Sequence, residues 1–293
     1  MKIDVETLKV AAGAKLSLAD RPSAVAPLYD GKGAYEEALE DHAKQLQRRH
    51  ERLFANGRHA LLVVLQGMDS AGKDGAIKHA LRGVNPQGCR VASFKAPTPT
   101  ELRHDFLWRC QPDLPERGAI AIFNRSYYEA VLVERVHPKL LANEGVDAPS
   151  DLDAFFEGRL RVIREFEQHL TDSATKVVKI FLHISKEEQK RRLLARLDDE
   201  EKNWKASMAD ADERGYWKDY VRAYEEMLPS TSVAAAPWFI VPADDKKNAR
   251  LIISQAILDT LSELKMSCPK LDKSQRKELL AARKLLSVKN GDK

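Results

Sequence analysis

The sequence predicts an α/β protein in which a parallel β-sheet is flanked by helices. Residues 61–65 and 119–123 are continuous apolar runs, as expected for strands that are buried on both faces. Segments with helical periodicity alternate with these and further strand patterns, which is typical of a parallel sheet covered on both faces. With 293 residues, 43% of them hydrophobic and 31% charged, the chain can bury a sizeable core.

Composition argues against several classes of protein. The 48 basic and 44 acidic residues give a net charge of +4, which does not indicate a general nucleic-acid coat. Cys89, Cys110 and Cys268 are widely separated and have no metal-ligand spacing, as in proteins of reducing compartments. The sequence shows neither an apolar N-terminal signal segment nor the run of about 20 apolar residues that spans a membrane. We therefore expect a cytoplasmic protein without nucleic-acid or membrane partners.

The first elements can be placed by glycine, proline and apolar spacing. Residues 1–34 carry scattered proline and glycine and predict an arm over the domain surface. Residues 35–56 have the apolar spacing of an amphipathic helix, which Gly57 ends. After the strand at 61–65 we expect, in order, a helix at 73–82, a strand at 89–97, a helix at 101–111 and a strand at 118–126.

The remaining elements continue the alternation. We expect helices at 127–136 and 151–170, strands at 175–185 and 238–243, a helix at 244–264 and a short surface helix in the basic tail. Ser185 and Glu188 have the capping-box spacing of a helix start. We divide the chain into an arm and helix at 1–56, a main domain at 57–265 and a basic helical tail at 266–293.

The loop after the first strand has the composition of a phosphate-binding loop. Glycines let the backbone curl so that several N–H groups point at an anion, and Lys73 adds a charge at a helix N-terminus. Asp74 stands where the usual pattern has the Ser or Thr that holds magnesium, and Asp69 is the obvious replacement ligand. The alternative is a plain strand–helix turn. The other predicted phosphate or nucleotide contacts are Gly67, Met68, Ser70, Ala71, Gly72, Asp74 and Gly75.

A second polar motif, Asn124-Arg125-Ser126, ends the strand at 118–126. A nucleotide-binding site commonly has an acid at such a strand end, and here an amide replaces it. Arg125 has the planar fork of donors that binds phosphate oxygens. Glu129 could face a nucleotide or a metal, or it could only complement the helix dipole. An ordinary polar cluster at the end of a strand is the alternative for the whole motif.

The stretch at 186–205 carries seven basic residues and is a candidate for a mobile lid, which we extend to about 228. Arginines delivered by a closing segment stabilise a transferring phosphoryl group. Arg192 and Arg196 are placed on one helical face by their spacing. A solvated charged face is the alternative. Nearby aromatic residues are expected to anchor the lid to the body: Trp204, Tyr216, Trp217, Tyr220 and Tyr224.

Several motifs together resemble the polyphosphate kinase 2 family. They are, in order, GMDSAGKDG, NPQG, FKAPT, FLWR, FNRSYYE with VLVERVHP, SKEEQKRRLLARLDDEEKNWK and APWFIVPADDK. The resemblance covers about residues 20–265. It implies a P-loop kinase fold with a helical lid, similar to thymidylate kinases. The FNRSYYE form resembles the branch called class III, whose members accept AMP as well as ADP.

The resemblance also implies an activity and roles for residues. Family members use inorganic polyphosphate and magnesium to phosphorylate nucleotides reversibly, with Mn²⁺ as a tolerated substitute. Asp69, Lys73, Asn124, Arg125 and Glu129 match the catalytic positions, with Asp69, Asn124 and Glu129 as candidate metal ligands. Arg135 and the lid residues Arg191, Arg192 and Arg196 are expected to line a polyphosphate channel.

The resulting hypothesis is a phosphotransferase that acts on polyphosphate and on adenine nucleotides, with guanine nucleotides as further candidates. We expect a homo-oligomer, either a dimer or a tetramer. Two other classes stay open at this point. One is an ATP-dependent nucleoside monophosphate kinase of the same fold, and the other is a non-catalytic module that binds phosphate or nucleic acid.

Overall fold

The structure is a computed structural model that describes residues 3–201, 203–205 and 208–287. Lys202 of the predicted lid, the side chain of Lys205 and residues 288–293 of the predicted tail lie outside the described part. Within it, one parallel sheet has the strand order β2-β3-β1-β4-β5. The strands are β1 (Ala60–Gly67), β2 (Cys89–Ser93), β3 (Ile120–Asn124), β4 (Thr175–His183) and β5 (Trp238–Pro242).

Helices connect and cover these strands. They are α1 (Gly31–Asn56), α2 (Lys73–Ala80), α3 (Glu129–Val136), α4 (Leu152–Asp172), α5 (Lys186–Leu197), α6 (Met208–Glu213), α7 (Trp217–Thr231), α8 (Lys246–Glu263) and α9 (Lys273–Ser287). The first group, α1, α2 and α8, packs together on the sheet, and α3, α4 and α7 form a second group. The predicted fold class, a parallel sheet between helical layers, is confirmed.

Strand β1 lies at the centre of the sheet because it is continuously apolar from Ala60 to Leu65. Its residues from Ala60 to Gln66 are buried, and it pairs with β3 on one side and β4 on the other. In this register Leu65 lies opposite Asn124, and Gly67 lies opposite Leu182. The carboxyl ends of three strands therefore meet at one edge, where parallel sheets bind ligands.

The N-terminal arm lies along the outer edge of the sheet. Lys9 forms an antiparallel bridge with Phe239 of β5, and the Val10 N–H donates to the carbonyl of Trp238 at 2.9 Å. Further along, the Ser23 hydroxyl donates to the Asp244 carboxylate at 2.9 Å. The arm thereby covers the open backbone groups of an edge strand and reaches the loop after β5.

A charged network lies in the core beside the second motif. Lys179 of β4 is fully buried and donates to the Glu167 carboxylate at 2.5 Å and to the Thr231 carbonyl at 2.6 Å. Tyr127 and Tyr128 each donate to the other oxygen of Glu167 at 2.8 Å. The network satisfies a buried carboxylate and a buried ammonium together. It ties the turn before α3 to α4, β4 and the end of α7.

Several predicted boundaries differ from the structure. Residues 101–111 do not form the predicted helix but two 3₁₀ segments, Glu101–Arg103 and Trp108–Asp113. Thr98 and Asp105 compete with helix formation, because their side chains accept hydrogen bonds from nearby backbone N–H groups. The strand predicted at 89–97 ends at Ser93. The helix predicted from residue 35 begins earlier, at Gly31.

Two surface features bear on association. The apolar stripe of α1, which includes Leu39, Leu46 and Leu53, is buried, and α1 packs on α8, whereas Phe54 stays exposed. Helix α9 has none of its described side chains buried. The predicted homo-oligomer stays a prediction. Among the described residues, no helix is both long and apolar enough to cross a membrane.

Candidate active site

The loop between β1 and α2 is shaped by residues with a left-handed backbone. Gly67 has φ 156°, and a Cβ at this position would lie 2.9 Å from the carbonyl oxygen of Leu182, so only glycine fits. Gly72 has φ 104°, and Ser70 has φ 61°. These turns bring the chain into α2 at Lys73, where the first N–H groups of a helix have no partner within the helix and can bind an anion.

Lys73 folds back over the loop. Its Nζ atom donates to the carbonyl of Gly67 at 2.6 Å and to that of Met68 at 3.2 Å. Burial lowers the pKa of Lys73 to about 8, and the neighbouring positive charge of Arg125 lowers it as well, against the carboxylates of Asp69, Glu129 and Asp74. The loop therefore holds an ammonium group that a phosphate chain would stabilise in its charged form.

An ion pair joins this loop to the second motif. The Arg125 Nη2 atom lies 2.6 Å from the Asp69 carboxylate, and Arg125 Nη1 lies 3.7 Å from that of Glu129. Arg125 has φ 63°, a strained conformation for a residue other than glycine. Its N–H donates to the Leu65 carbonyl at 3.0 Å, which holds the turn against β1. Strain of this kind occurs at functional sites.

Two amides orient the other carboxylates. Asn124 donates from Nδ2 to Asp74 at 2.8 Å, and Gln66 donates from Nε2 to Glu129 at 2.9 Å. The structure thus brings together all five predicted catalytic residues, which are Asp69, Lys73, Asn124, Arg125 and Glu129. Gln66 was missed by the sequence reasoning. It is a polar residue at the end of an otherwise apolar strand, and that signal could have identified it.

The loop opens into a large cleft, here called the basic cleft, with a volume of about 960 Å³. Eight cationic side chains and three carboxylates line it, so the cleft suits a polyanion. The cations are Lys73, Lys95, Arg125, Arg191, Arg192, Arg196, Lys246 and Arg250. Lys246 and Arg250 were missed, although they follow the predicted last strand and so lie near the ligand-binding edge.

A second, smaller cavity shares Asp69 and Arg125 with the basic cleft, and we call it the lid-side cavity. It has a volume of about 50 Å³ and lies between α3, α5 and α7. Its walls are partly apolar and aromatic: Leu132, Val133, Trp217, Tyr220 and Tyr224. Three of the aromatic residues predicted to anchor the lid therefore line a cavity. Asp69 and Arg125 line both spaces.

Arg192 has a different environment from the one expected of a channel residue. All five of its N–H donors are used within the protein, and its side chain is buried. Nε donates to Glu188, Nη1 to the carbonyls of Ser70 and Ala71, and Nη2 to the carbonyls of Ala243 and Asp244. Arg192 thus fastens α5 to the loop and to the end of β5.

The other predicted channel arginines differ among themselves. Arg196 donates to the Ser70 hydroxyl at 2.7 Å and lines the basic cleft. Arg191 is exposed in the same cleft and binds Glu188 through two hydrogen bonds. Arg135 lines neither cavity; it pairs with Asp153 at 2.8 Å and with Glu226 at 2.6 Å. The structure therefore does not bring Arg135 together with the other site residues.

The carboxylates of the site can hold a divalent metal only together with other ligands. Among the described residues, Asp, Glu, His and Cys do not form a group of three or more that could hold a metal alone. Magnesium is commonly held by one or two carboxylates together with substrate phosphates and water. Asp69, about one-third exposed beside the loop, fits that arrangement. The residues present are thus consistent with a metal that binds together with a phosphate substrate.

The chain is similar to known proteins over nearly its whole length. Residues 30–269 match the sequence pattern of Polyphosphate kinase 2. An ADP-polyphosphate phosphotransferase of Rhodopseudomonas palustris is 52% identical over 98% of this chain and 99% of its own. An AMP/ADP-polyphosphate phosphotransferase of Meiothermus ruber is 44% identical over 84% of this chain and 88% of its own.

A solved structure supports the same relation. The crystal structure of Polyphosphate Kinase 2 from Arthrobacter aurescens has a TM-score of 0.84 and 40% sequence identity. The alignment covers 96% of this chain and 97% of that one. The similarity therefore extends over nearly all of the described strands and helices.

The contacts of Arg192 predict that it stabilises the loop. Lysine can form at most three of its five hydrogen bonds, and each buried carbonyl left unpaired costs about 1–3 kcal/mol. We expect Arg192→Lys to lower the free energy of unfolding by about 3 kcal/mol in urea titrations. Calorimetry should show about tenfold weaker binding of tripolyphosphate, equivalent to about 1.4 kcal/mol.

Arg191→Lys provides the matched control for stability. Its ion pair with Glu188 is exposed on the arginine side and lies within one helix, so its loss should change the free energy of unfolding by less than about 1 kcal/mol. Equal stability and equal tripolyphosphate affinity for Arg192→Lys and the unchanged protein would contradict the role given to Arg192.

Proposed function

Because the chain belongs to the polyphosphate kinase 2 family, we propose that it transfers a phosphoryl group reversibly between inorganic polyphosphate and the adenine nucleotides ADP and AMP. The single observation that carries this proposal is the position of the Asp69–Arg125 pair between two cavities. One cavity is strongly basic and contains the phosphate-binding loop, and the other is small, with aromatic walls. Such a pair of spaces suits two substrates that meet at their phosphate ends.

In this proposal polyphosphate lies in the basic cleft, over Lys73. The lining cations match a ligand that carries negative charge along its length. The nucleotide enters from the lid side, where aromatic walls suit a base, and its phosphates reach Arg125. The lid-side cavity has a volume of about 50 Å³, which is less than a nucleotide occupies. We therefore propose that α5 and α7, which line it, move apart on binding.

The chemical step is a direct in-line transfer. A terminal phosphate oxygen of the nucleotide forms a bond to the terminal phosphorus of polyphosphate, and the anhydride bond to the next phosphate breaks. The polymer leaves one unit shorter, and the nucleotide gains that unit. Lys73, Arg125 and Arg196 offset the negative charge on the transferring group, and the loop N–H groups orient it.

The family implies a divalent metal, and we propose Mg²⁺, with Mn²⁺ tolerated. When bound, this cation supplies charge neutralisation at the phosphate oxygens. Asp69 would hold it, and Asn124 and Glu129 are further candidate ligands. Hydrogen bonds fix the orientation of both side chains: Asn124 donates to Asp74, and Glu129 accepts from Gln66.

Other features of the proposal concern the substrate range and the state of the protein. The FNRSYYE sequence, with Glu129 beside Arg125, supports use of AMP, and guanine nucleotides stay a further prediction. Cys89, Cys110 and Cys268 are free thiols, in keeping with a cytoplasmic location. We also propose a dimer or tetramer. Exposed Phe54 is compatible with subunit contact.

A donor comparison tests the proposed function. The protein is incubated with ADP or AMP, a divalent metal, and either polyphosphate or ATP as the donor, and the products are separated by chromatography. We expect the protein to form ATP from ADP, and ADP from AMP, at an appreciable rate when polyphosphate is the donor and not when ATP is. Transfer to AMP from ATP alone would identify a nucleoside monophosphate kinase instead. RNA binding without transfer from either donor would indicate a non-catalytic module.

The lowered pKa of Lys73 predicts a pH dependence of phosphate binding. A phosphate chain over Lys73 favours the ammonium form and raises its pKa, so binding takes up a proton. The affinity is therefore greatest below pH 8 and falls as pH rises above it. Between about pH 8 and pH 9 the Kd for tripolyphosphate should rise several-fold, as measured by calorimetry.

Lys73→Arg is the matched control because arginine stays charged over this range. Its Kd should change little between the same pH values. A Kd that is independent of pH in the unchanged protein, or one that rises equally in Lys73→Arg, would contradict the role of the Lys73 ammonium group.

A further inference from the structure

We propose that a basic track outside the cleft, formed by Arg250 of α8 and by His79, Lys78 and Arg82 on and just after α2, binds the distal part of long polyphosphate chains. This inference rests on the proposed function and extends it to the preferred length of the donor. The track would begin at the wall of the basic cleft and continue along the outer surface of the helix that follows the loop.

Arg250 connects the cleft to the track. It lines the basic cleft, and its Nη2 atom lies 3.6 Å from the position that a Cβ on Gly75 would occupy. Its Nη1 atom is held by the Tyr35 hydroxyl at 3.4 Å. The guanidinium group thus lies against the first turn of α2, next to the phosphate-binding loop.

Along α2, further basic side chains lie at increasing distance from the cleft. His79 follows Gly75 by four residues, and Lys78 follows Asp74 by four, so each lies one turn farther along the same face. Arg82 follows Lys78 by four residues, just after the helix. Lys78 and Arg82 are exposed, and His79 is half-buried. At 1.5 Å per residue, Gly75 and Ala80, the last residue of α2, are separated by about 8 Å along the axis, and Arg82 follows two residues later.

The charges of the track lie close enough to act on one another. Burial lowers the pKa of His79, and the positive charges of Arg250, Lys78 and Arg82 lower it further. Burial likewise lowers the pKa of Lys246 in the cleft wall, as do Arg192, Arg191 and Arg250, with Glu188 opposing. His79 is therefore uncharged near pH 7, and the positive charge of the track comes from Arg250, Lys78 and Arg82.

Acidic neighbours compensate the track only weakly. The carboxylate of Glu40 lies 3.6 Å from Arg82, and both side chains are largely exposed, so their ion pair is screened by solvent. Glu40 also lies 4.0 Å from Lys44 and is shared between two cations. A polyanion could therefore exchange for this carboxylate at Arg82.

The shape of the track favours a linear polymer over a nucleotide. A nucleotide has its phosphates at one end and a base at the other, and the lid-side cavity already offers walls for the base. Polyphosphate carries a negative charge at every repeat, so the part that leaves the cleft still needs cations. The track supplies them in the direction in which the loop helix runs.

The test measures the double variant Lys78→Ala/Arg82→Ala and the unchanged protein with polyphosphate donors of two lengths. The short donor is the shortest size-fractionated chain that the unchanged protein turns over with ADP, and the long donor is long-chain polyphosphate. For the long donor we expect the KM of the variant to rise about five- to tenfold, as loss of two exposed phosphate contacts should cause. The kcat values and the KM for the short donor should stay unchanged.

Salt dependence gives a second readout. Each contact between a cation and a linear polyanion releases counterions when the complex forms. A variant that has lost a contact therefore depends less on salt, and its slope of log KM against log salt for the long donor should be smaller by about 0.7 per lost contact. Arg161→Ala is the matched control. This exposed cation lies on α4, in the other group of helices, and among the described residues its ion pair is with the exposed Glu165 of the same helix. It should leave the values for both donors unchanged.

The outcomes separate this inference from the proposed function. A KM that rises equally for both lengths, or for neither, in Lys78→Ala/Arg82→Ala would overturn the track, since the cations would then be a solvated surface or part of the cleft. Turnover of the short donor by the unchanged protein would still support the proposed function. A protein that turns over neither donor would contradict the proposed function itself.

Discussion

The ion pair between Asp69 and Arg125 joins the two parts of the candidate site. Asp69 belongs to the loop after β1, and Arg125 ends β3, so their contact depends on the parallel register that aligns these strand ends. Both residues line the basic cleft and the lid-side cavity. The strained backbone at Arg125 is held by β1 on one side and by the buried tyrosines at 127 and 128 on the other.

Three buried cations of the domain, Lys73, Arg192 and Lys179, have distinct environments. Lys73 contacts two backbone carbonyls at the loop and has a lowered pKa, so it can gain from an anionic ligand. Arg192 has all five donors occupied and therefore has structural contacts in place of a ligand. Lys179 is neutralised by Glu167 in the core. Counting basic residues would treat these side chains as alike, whereas their hydrogen bonds give each a different role.

Much of the fold could be predicted because the strands are continuous apolar runs and the loop has a distinctive glycine pattern. The region 101–111 could not, since local side-chain hydrogen bonds there outweigh helical periodicity. Arg135 and Arg192 were assigned to the channel from charge and resemblance alone. In the structure Arg135 pairs with Glu226, and Arg192 donates to the carbonyls of Ala71 and Ala243, partners that are distant in the sequence. Arg192 also lines the basic cleft, and the channel roles of both arginines stay predictions. Lys246 and Arg250 could have been found from the strand-edge rule.

We propose that Asp69, which lines both the basic cleft and the lid-side cavity, acts in phosphoryl transfer. Asp69→Asn keeps the size of the side chain and removes its charge, so the most direct test measures both binding and turnover. We expect the variant to bind long-chain polyphosphate within a few-fold of the unchanged affinity by calorimetry. ATP formation from ADP and polyphosphate should fall by about a thousandfold or more. Near-normal turnover in Asp69→Asn would contradict the account.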